Sequence, residues 1–353
     1  MRLIDAELID SRRILPGQWM QWYHAPALAA SVRAGQFVHV RTGDWSGLVL
    51  RRPFTVNTAD PSTGVVSLHF REVGRGTAWL THMRPGDRLD MLGPLGQGFV
   101  VDPRNRHLLL VAGGLGIADV RLLADEALRD GRQVVLLFGA RDASEVYPSS
   151  LLPDELEYVV ATEDGSVGHP GLVTDLVLAY EAWADQAFAC GPLPMLRALT
   201  GVLAGRRKRL GVATLGRRRD AGRRPVLGTV TARRKAFLQV AMEQRMGCAV
   251  GACLGCVIWG VDGPQRVCRE GPVFAAEEID WEATVPSATP VSGAPASAAG
   301  GGAAGSGGAR GSGGPRASRG AGGPNGSGGP RAARGAGDAG RDPRGSRGDG
   351  GRR

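Results

Sequence analysis

His107-Leu108-Leu109-Leu110-Val111-Ala112-Gly113-Gly114-Leu115-Gly116-Ile117 sets the architecture of this 353-residue chain. After the histidine the run is apolar at every position up to the glycines, with no polar residue alternating. That pattern marks a strand buried on both faces, as in a parallel sheet covered by helices. Glycines then punctuate a tight turn, and Leu122, Leu123 and Ala127 recur at helical spacing. Strand, turn and helix in this order make the first half of a βαβ unit. The rhythm continues through a second strand at 134–138 and further elements at 158–161, 172–178 and 187–190. Residues 101–202 are therefore expected to form a doubly wound parallel sheet.

Upstream, the pattern changes. Residues 1–100 carry short apolar runs at 3–9, 36–40, 65–70 and 88–92, parted by turn signals such as Pro85-Gly86-Asp87. This suits a small antiparallel β-barrel. Two devices for holding phosphate lie within it. Arg52-Pro53-Phe54-Thr55 is expected at the end of a barrel strand, where an arginine can take a pyrophosphate bidentately. The Thr55 hydroxyl could then reach a flavin ring edge, with Phe54 lying against the ring. Standing alone, the tetrapeptide reads as a turn. Gly74-Arg75-Gly76-Thr77, however, opens an apparent helix through Ala78, Trp79, Leu80 and Met83, and such a terminus offers free N–H groups to an anion. Two such devices in one barrel point to one diphosphate cofactor. Leu92-Gly93-Pro94-Leu95-Gly96-Gln97-Gly98-Phe99 then closes the barrel beside the cleft to the next domain.

In the second domain Gly113, Gly114 and Gly116 sit where a nucleotide-binding turn would be, although the spacing is not a strict G-x-G-x-x-G and a plain tight turn fits it too. Cys190-Gly191-Pro192 ends a predicted parallel strand at the carboxyl edge, where such sheets bind ligands. Its sulfur is a candidate to face a nicotinamide; the ordinary alternative is an inert core thiol. Arg141, just after the second strand, reads as a solvated loop residue rather than a partner for a 2′-phosphate.

The other four of the five cysteines are spaced C-x4-C-x2-C-x11-C: Cys248, Cys253, Cys256 and Cys268. That is the plant-type pattern for a [2Fe–2S] cluster. Gly247, Gly251 and Gly255 let a tight loop wrap the cluster and bring backbone N–H groups towards its sulfides. A zinc site would ask for a second CxxC or a pair of histidines, and no histidine follows His169. A disulfide framework fits neither the odd count nor an N-terminus without an apolar signal segment. The cluster is expected on a small module at 236–282, on loops off short strands such as 237–240.

The formal charge of +9 is local in origin. Residues 206–235 carry twelve Arg and Lys against Asp220 alone, and residues 284–353 ten Arg against three Asp, so that removing both segments turns +9 into −9. The folded part is acidic, and a nucleic-acid-binding protein, the reading of another class, would rest on these appendages. Residues 203–235 read as an Arg-rich insertion. Residues 283–353, nearly all Gly, Ala, Ser, Pro and Arg, cannot bury enough apolar surface to fold and are expected to be disordered. No 18-residue apolar stretch exists, so a soluble, cytoplasmic protein is expected.

Taken together these motifs resemble the electron-transfer subunits of dihydroorotate dehydrogenase B, in the ferredoxin–NADP reductase superfamily. The likeness runs from about residue 2 to 280 and is most specific in Glu243-Gln244-Arg245-Met246-Gly247-Cys248, Cys253-Leu254-Gly255-Cys256 and Arg266-Val267-Cys268-Arg269-Glu270-Gly271-Pro272-Val273-Phe274. The resemblance implies FAD on the barrel, NAD as co-substrate on the second domain and a [2Fe–2S] cluster held by Cys248, Cys253, Cys256 and Cys268. Carried over, Arg52, Pro53, Phe54, Thr55, His69, Phe70, Arg71, Gly76 and Thr77 would line the FAD. It further implies an FMN-containing catalytic subunit that makes orotate for pyrimidine (UMP) biosynthesis, in a heterotetramer of two copies of each. Electrons would pass from that FMN through the cluster and FAD to NAD+. The protein would position cofactors and supply no acid–base group, so no catalytic residue is expected. A paralogous reductase serving a ferredoxin- or hydrogenase-type partner is the alternative enzyme. Three departures stand out. Ala118-Asp119 follows the glycine turn where the family usually runs into Ala-Pro or Pro-Pro, and an acid there is expected to disfavour a phosphate. Phe54 and Thr55 replace an aliphatic residue and a serine. The Arg-rich segment and the tail are additions.

Overall fold

A computed structural model describes residues 1–43, 47–204 and 236–284, all within one unit, Met1–Pro295. The Arg-rich insertion from 205 and the tail from 285 lie outside the described residues. In chain order the first elements are β1 (Arg2–Leu15), β2 (Gln18–His24), α1 (Pro26–Ala29), β3 (Phe37–Val40), β4 (Arg52–Asp60), β5 (Val65–Arg71), α2 (Arg75–Thr81) and β6 (Arg88–Leu95). Six strands close into an antiparallel barrel in the order β1-β2-β5-β4-β3-β6. The period of two explains it: along β6, Leu89, Met91 and Leu95 are buried while Arg88 is exposed and Asp90 half-buried. β2 was not foreseen, because its buried face carries Gln18 and Gln21 beside Met20 and Tyr23. The Gln21 amide donates to the Leu80 carbonyl at 2.7 Å and its oxygen accepts from Tyr23 Oη at 2.6 Å, so burial leaves it paired.

The second layer holds β7 (His107–Gly113), α3 (Ile117–Arg129), β8 (Gln133–Ala140), β9 (Glu157–Thr162), β10 (His169–Pro170), α4 (Val173–Tyr180), β11 (Gln186–Cys190) and α5 (Leu193–Ala204). After them come β12 (Leu238–Ala241), β13 (Val257–Gly260), β14 (Gly263–Arg266) and β15 (Val273–Ala275). The sheet runs β10-β9-β8-β7-β11-β12-β15 and is parallel except for β15. Along β7, Leu108, Leu110 and Ala112 join the core that α3 shares with the barrel, and Leu109 and Val111 join the core under α4 and α5. Helices on both faces account for the unbroken apolar run.

The cluster-bearing segment does not form a layer of its own. Its strands β12 and β15 extend the sheet beside β11, and only the β13–β14 hairpin stands apart. The barrel is tied to this edge. Gln97 N–H donates to the Gly271 carbonyl at 2.6 Å, and Val100 exchanges bonds with the Gln239 amide at 3.0 and 2.6 Å. α3 packs against β4, and Glu126 accepts from Ala34 N–H at 3.2 Å. Barrel, α3, sheet and cluster segment therefore meet along one seam.

Candidate functional site

Sheet topology places the site. From β7 the chain steps outward to β8 and β9, then returns to lay β11 on the other side of β7. The strand order reverses between β7 and β11, and the crevice beyond their carboxyl ends is where open α/β sheets hold ligands. Gly113–Gly116 and Cys190-Gly191-Pro192 meet there. A methyl group on Gly116 would stand 2.2 Å from the Cys190 carbonyl oxygen, and one on Gly113 2.7 Å from Met195 Sδ. These two glycines are needed for packing. Gly114, at φ +53° with nothing within 4 Å of its Cβ position, faces open space.

The flavin-side residues lie on the barrel wall that faces this crevice. Arg52 begins β4 rather than ending a strand, a correction with a simple cause: Arg52 pairs with Val40 and Phe37 with Thr55, so the strand runs onward from the motif. Phe54 and Phe70 meet edge to face at 5.6 Å. Gly76 passes so close to the motif that a Cβ would lie 3.0 Å from Thr42 Oγ1 and 3.3 Å from Arg52 Nε. Thr77 is less free than the sequence implied. Its hydroxyl accepts from Val73 and Gly74 N–H at 2.9 and 3.1 Å and donates to the Gly74 carbonyl, so it shapes the turn. Buried His69 bonds Gln18 through Nε2 at 3.0 Å; burial, then the Arg71 charge, lowers its pKa to about 4. Thr42 Oγ1, His69 Nδ1 and Arg71 Nε are buried with no protein partner. Unpaired groups of this kind are costly, and a polar ligand along this wall would satisfy them. Arg141 ion-pairs with Glu145, which also accepts from Arg71 at 3.4 Å. It is therefore held by a carboxylate and tied to the barrel.

At the seam between β4, α3 and β11 a second group assembles. Thr55 Oγ1 donates to Asp119 at 2.7 Å, and the Cys190 thiol donates to the same carboxyl. The ligand atoms of Asp119, Cys190 and Glu243 lie within 4.8 Å of one another. The sequence reading set Asp119 against a phosphate; the structure instead turns it inward, towards Thr55 and Cys190. Glu243 was missed as a site residue. Its signal was its place just after β12, the strand that pairs with β11 in register at Cys190 and Ala241.

The four remaining cysteines gather on the loops beyond β12 and between β14 and β15. They associate two by two: Cys248 with Cys253, and Cys256 with Cys268. Cys248 Sγ accepts from the N–H groups of Ala252 and Cys253, each at 3.3 Å. Burial opposes its ionisation, but the N–H groups of Val250, Cys253 and Ala252 outweigh burial and lower its pKa to about 6. A thiol so cradled is ready to bind metal as thiolate. Gly247 and Gly255 both pass the Cys253 sulfur, with Cβ positions 3.5 Å away. Gly251, at φ +84°, hands its carbonyl to Arg266 at 2.9 Å, and Arg266 pairs with Glu270. Two irons each taking two thiolates fit this two-by-two arrangement.

A flavin wall, a nucleotide crevice and a two-by-two thiolate loop on one seam define an iron–sulfur flavoprotein of the ferredoxin reductase type. The solved NADH-dependent reduced ferredoxin–NADP oxidoreductase superposes with a TM-score of 0.62 at 25% identity, over 78% of this chain and 90% of that one. A family model described as the iron–sulfur cluster binding domain of dihydroorotate dehydrogenase B matches residues 243–280. The dihydroorotate dehydrogenase B (NAD(+)) electron transfer subunit of Desulforamulus reducens is 33% identical over 80% of this chain and 99% of its own length. That of Geobacillus thermodenitrificans is 36% identical over 69% and 86%. The chain belongs to the family of dihydroorotate dehydrogenase B electron transfer subunits.

Proposed function

We propose that this chain carries electrons from the FMN of a dihydroorotate dehydrogenase catalytic subunit to NAD+, in a complex of two copies of each subunit. The observation that supports it most is the meeting of the thiolate loop, the flavin wall and the nucleotide crevice on one seam, within a chain of this family. FAD, when bound, supplies the exchange between single electrons from the cluster and the two-electron hydride of a nicotinamide.

The chain's own residues bind, orient and exclude water. Arg52 takes the FAD pyrophosphate with the close-packed Gly76 turn beneath it. Pro53 and Phe54 lie along the flavin, Thr55 orients its edge, and His69, Phe70 and Arg71 close the wall. Gly114 gives the nicotinamide nucleotide room at the crevice, Gly113 and Gly116 fix the turn, and Cys190 stands against the ring. Cys248, Cys253, Cys256 and Cys268 hold the cluster. Val250 and Leu254, exposed on that loop, offer the catalytic subunit an apolar face. In domain terms, residues 1–100 hold FAD, 101–202 NAD and 236–282 the cluster.

Co-expression with a dihydroorotate dehydrogenase catalytic subunit tests this. A co-purifying complex should reduce NAD+ with dihydroorotate, and its mass should give the stoichiometry. If the pair fails to associate, and the chain alone passes electrons from NADH to a ferredoxin, the proposal is wrong and the paralogous-reductase reading replaces it.

A further inference from the structure

The acid that follows the glycine turn is unexplained by the function just proposed. Asp119 lies in the first turn of α3 and is only 6% exposed. A buried carboxyl is expensive unless it is paired, and here it is paired to neutral donors, Thr55 from the barrel and Cys190 from the sheet. The second carboxyl, Glu243, keeps exposed residue surface while its acid group is surrounded by protein on almost every side, and that surrounding governs its titration. Burial, then the Asp119 charge, raises its pKa to about 7. Burial raises Asp119 too, and it holds Cys190 well above the ordinary thiol range, so that residue stays a thiol.

No cation neutralises the group. β4 brings Thr55, and its Arg52 turns to the carbonyls of Leu50 and Arg51. α3 brings Arg121, which turns to Asp125 and the Leu151 carbonyl. β7 ends here in Ala112 and Gly113, with His107 at its far end. β11 brings Cys190. Beyond β12 comes Glu243, with Arg245 two residues on; the charge that acts on Glu243 is that of Asp119. Two like carboxyls this close titrate as one unit, giving up a first proton much more readily than a second.

We propose that Asp119 and Glu243 share one proton, and that the single negative charge left beside Cys190 selects the cationic, oxidised nicotinamide ring over the neutral, reduced one. The pair would thereby favour NAD+ as the acceptor. The inference rests on the proposed placement of the nicotinamide against Cys190. Asp119 is the better carrier of the charge because two donors point at it, and Glu243 holds the proton.

A pair sharing one proton has a distinctive signature. Removing either carboxyl leaves the other free to ionise, so the charge survives; removing both abolishes it. With the holo-protein at pH 8, NAD+ is titrated onto the oxidised form and NADH onto the dithionite-reduced form, following the flavin spectrum. Asp119→Asn and Glu243→Gln should each bind NAD+ within about threefold of the parent. The double variant should bind it about tenfold more weakly, with NADH affinity unchanged, as the loss of one nearby charge in a partly screened site predicts. Parent affinity for NAD+, but not for NADH, should also rise from pH 6 to pH 8, and this measurement needs no variant. The inference is overturned if the double variant binds NAD+ like the parent, if it loses both nucleotides equally, or if the parent's profile is flat. If the parent binds neither nucleotide, the proposed function falls with it; if it binds both and only the charge signature is missing, the inference alone is wrong.

Discussion

Replacing Gly116 by alanine tests the seam at its tightest point. Gly116 has φ −59°, open to any residue, so backbone strain plays no part. The obstacle is space. The added methyl would stand 2.2 Å from the Cys190 carbonyl oxygen, 2.4 Å from its carbon and 2.7 Å from Gly191 N, all backbone atoms. Restoring an ordinary contact of 3.4 Å from 2.2 Å needs 1.2 Å of movement between the start of α3 and the end of β11. Overpacking costs about 1–3 kcal/mol where side chains can yield, and this case should reach or exceed the upper figure because backbone must move. For a domain of this size ~3 kcal/mol corresponds to roughly 6–12 °C in Tm. Gly114→Ala is the control. Its Cβ would meet nothing within 4 Å, and only φ +53° opposes it, at about 1–2 kcal/mol. Thermal melts of both holo-proteins, followed by flavin fluorescence, should rank Gly116→Ala far below Gly114→Ala. Equal melting temperatures for Gly116→Ala and the parent would refute the close approach of turn and strand.

Three further outcomes are expected. Cys256→Ser should lose the visible absorbance of the cluster and keep its flavin, because the thiol pairs and the barrel wall are separate constructions; NADH–dye reduction should survive while dihydroorotate-dependent NAD+ reduction stops. Arg52→Ala should weaken FAD binding by about tenfold or more, the worth of a charge-assisted contact at roughly 1.5–3 kcal/mol, and full flavin occupancy after extensive dialysis would count against the assignment. Burial holds His69 neutral in the fold down to about 4, while the unfolded chain protonates near 6.5. Between those values the unfolded state binds more protons, so stability is lost as pH falls from 6.5 to 4, by on the order of 3 kcal/mol. His69→Gln should flatten that part of the stability–pH curve, and an unchanged slope would place the titrating group elsewhere.

Some of this was legible in the chain. The βα alternation from His107, the barrel rhythm before it and the thiol spacing were local patterns, and local patterns survive in a one-dimensional reading. Where reading failed, the cause lay in partners distant in sequence. Gln18 and Gln21 hid β2 because polar residues look exposed until Leu80, Tyr23 and His69 are seen to satisfy them. Arg52 was set at the wrong end of its strand because a turn signal marks a boundary without saying which side the strand lies on. Asp119 was judged by its neighbours in the chain, yet its carboxyl answers to Thr55, 64 residues earlier, and to Cys190.

Sequence by itself determined which chemistry this protein can hold: four thiols at plant-type spacing, an arginine and glycine pair in a barrel, a glycine turn after a buried strand. These are properties of residue type and short-range spacing, which the covalent chain carries directly. Only tertiary structure decided how they meet. The reversal of strand order between β7 and β11 opens the crevice, β12 and β15 dock the thiolate loop onto the same sheet, and α3 brings an acid between Thr55 and Cys190. The physical reason is that side-chain charge and hydrogen bonding act over a few ångströms of space, and long-range strand pairing, not sequence neighbourhood, sets which groups come within that reach.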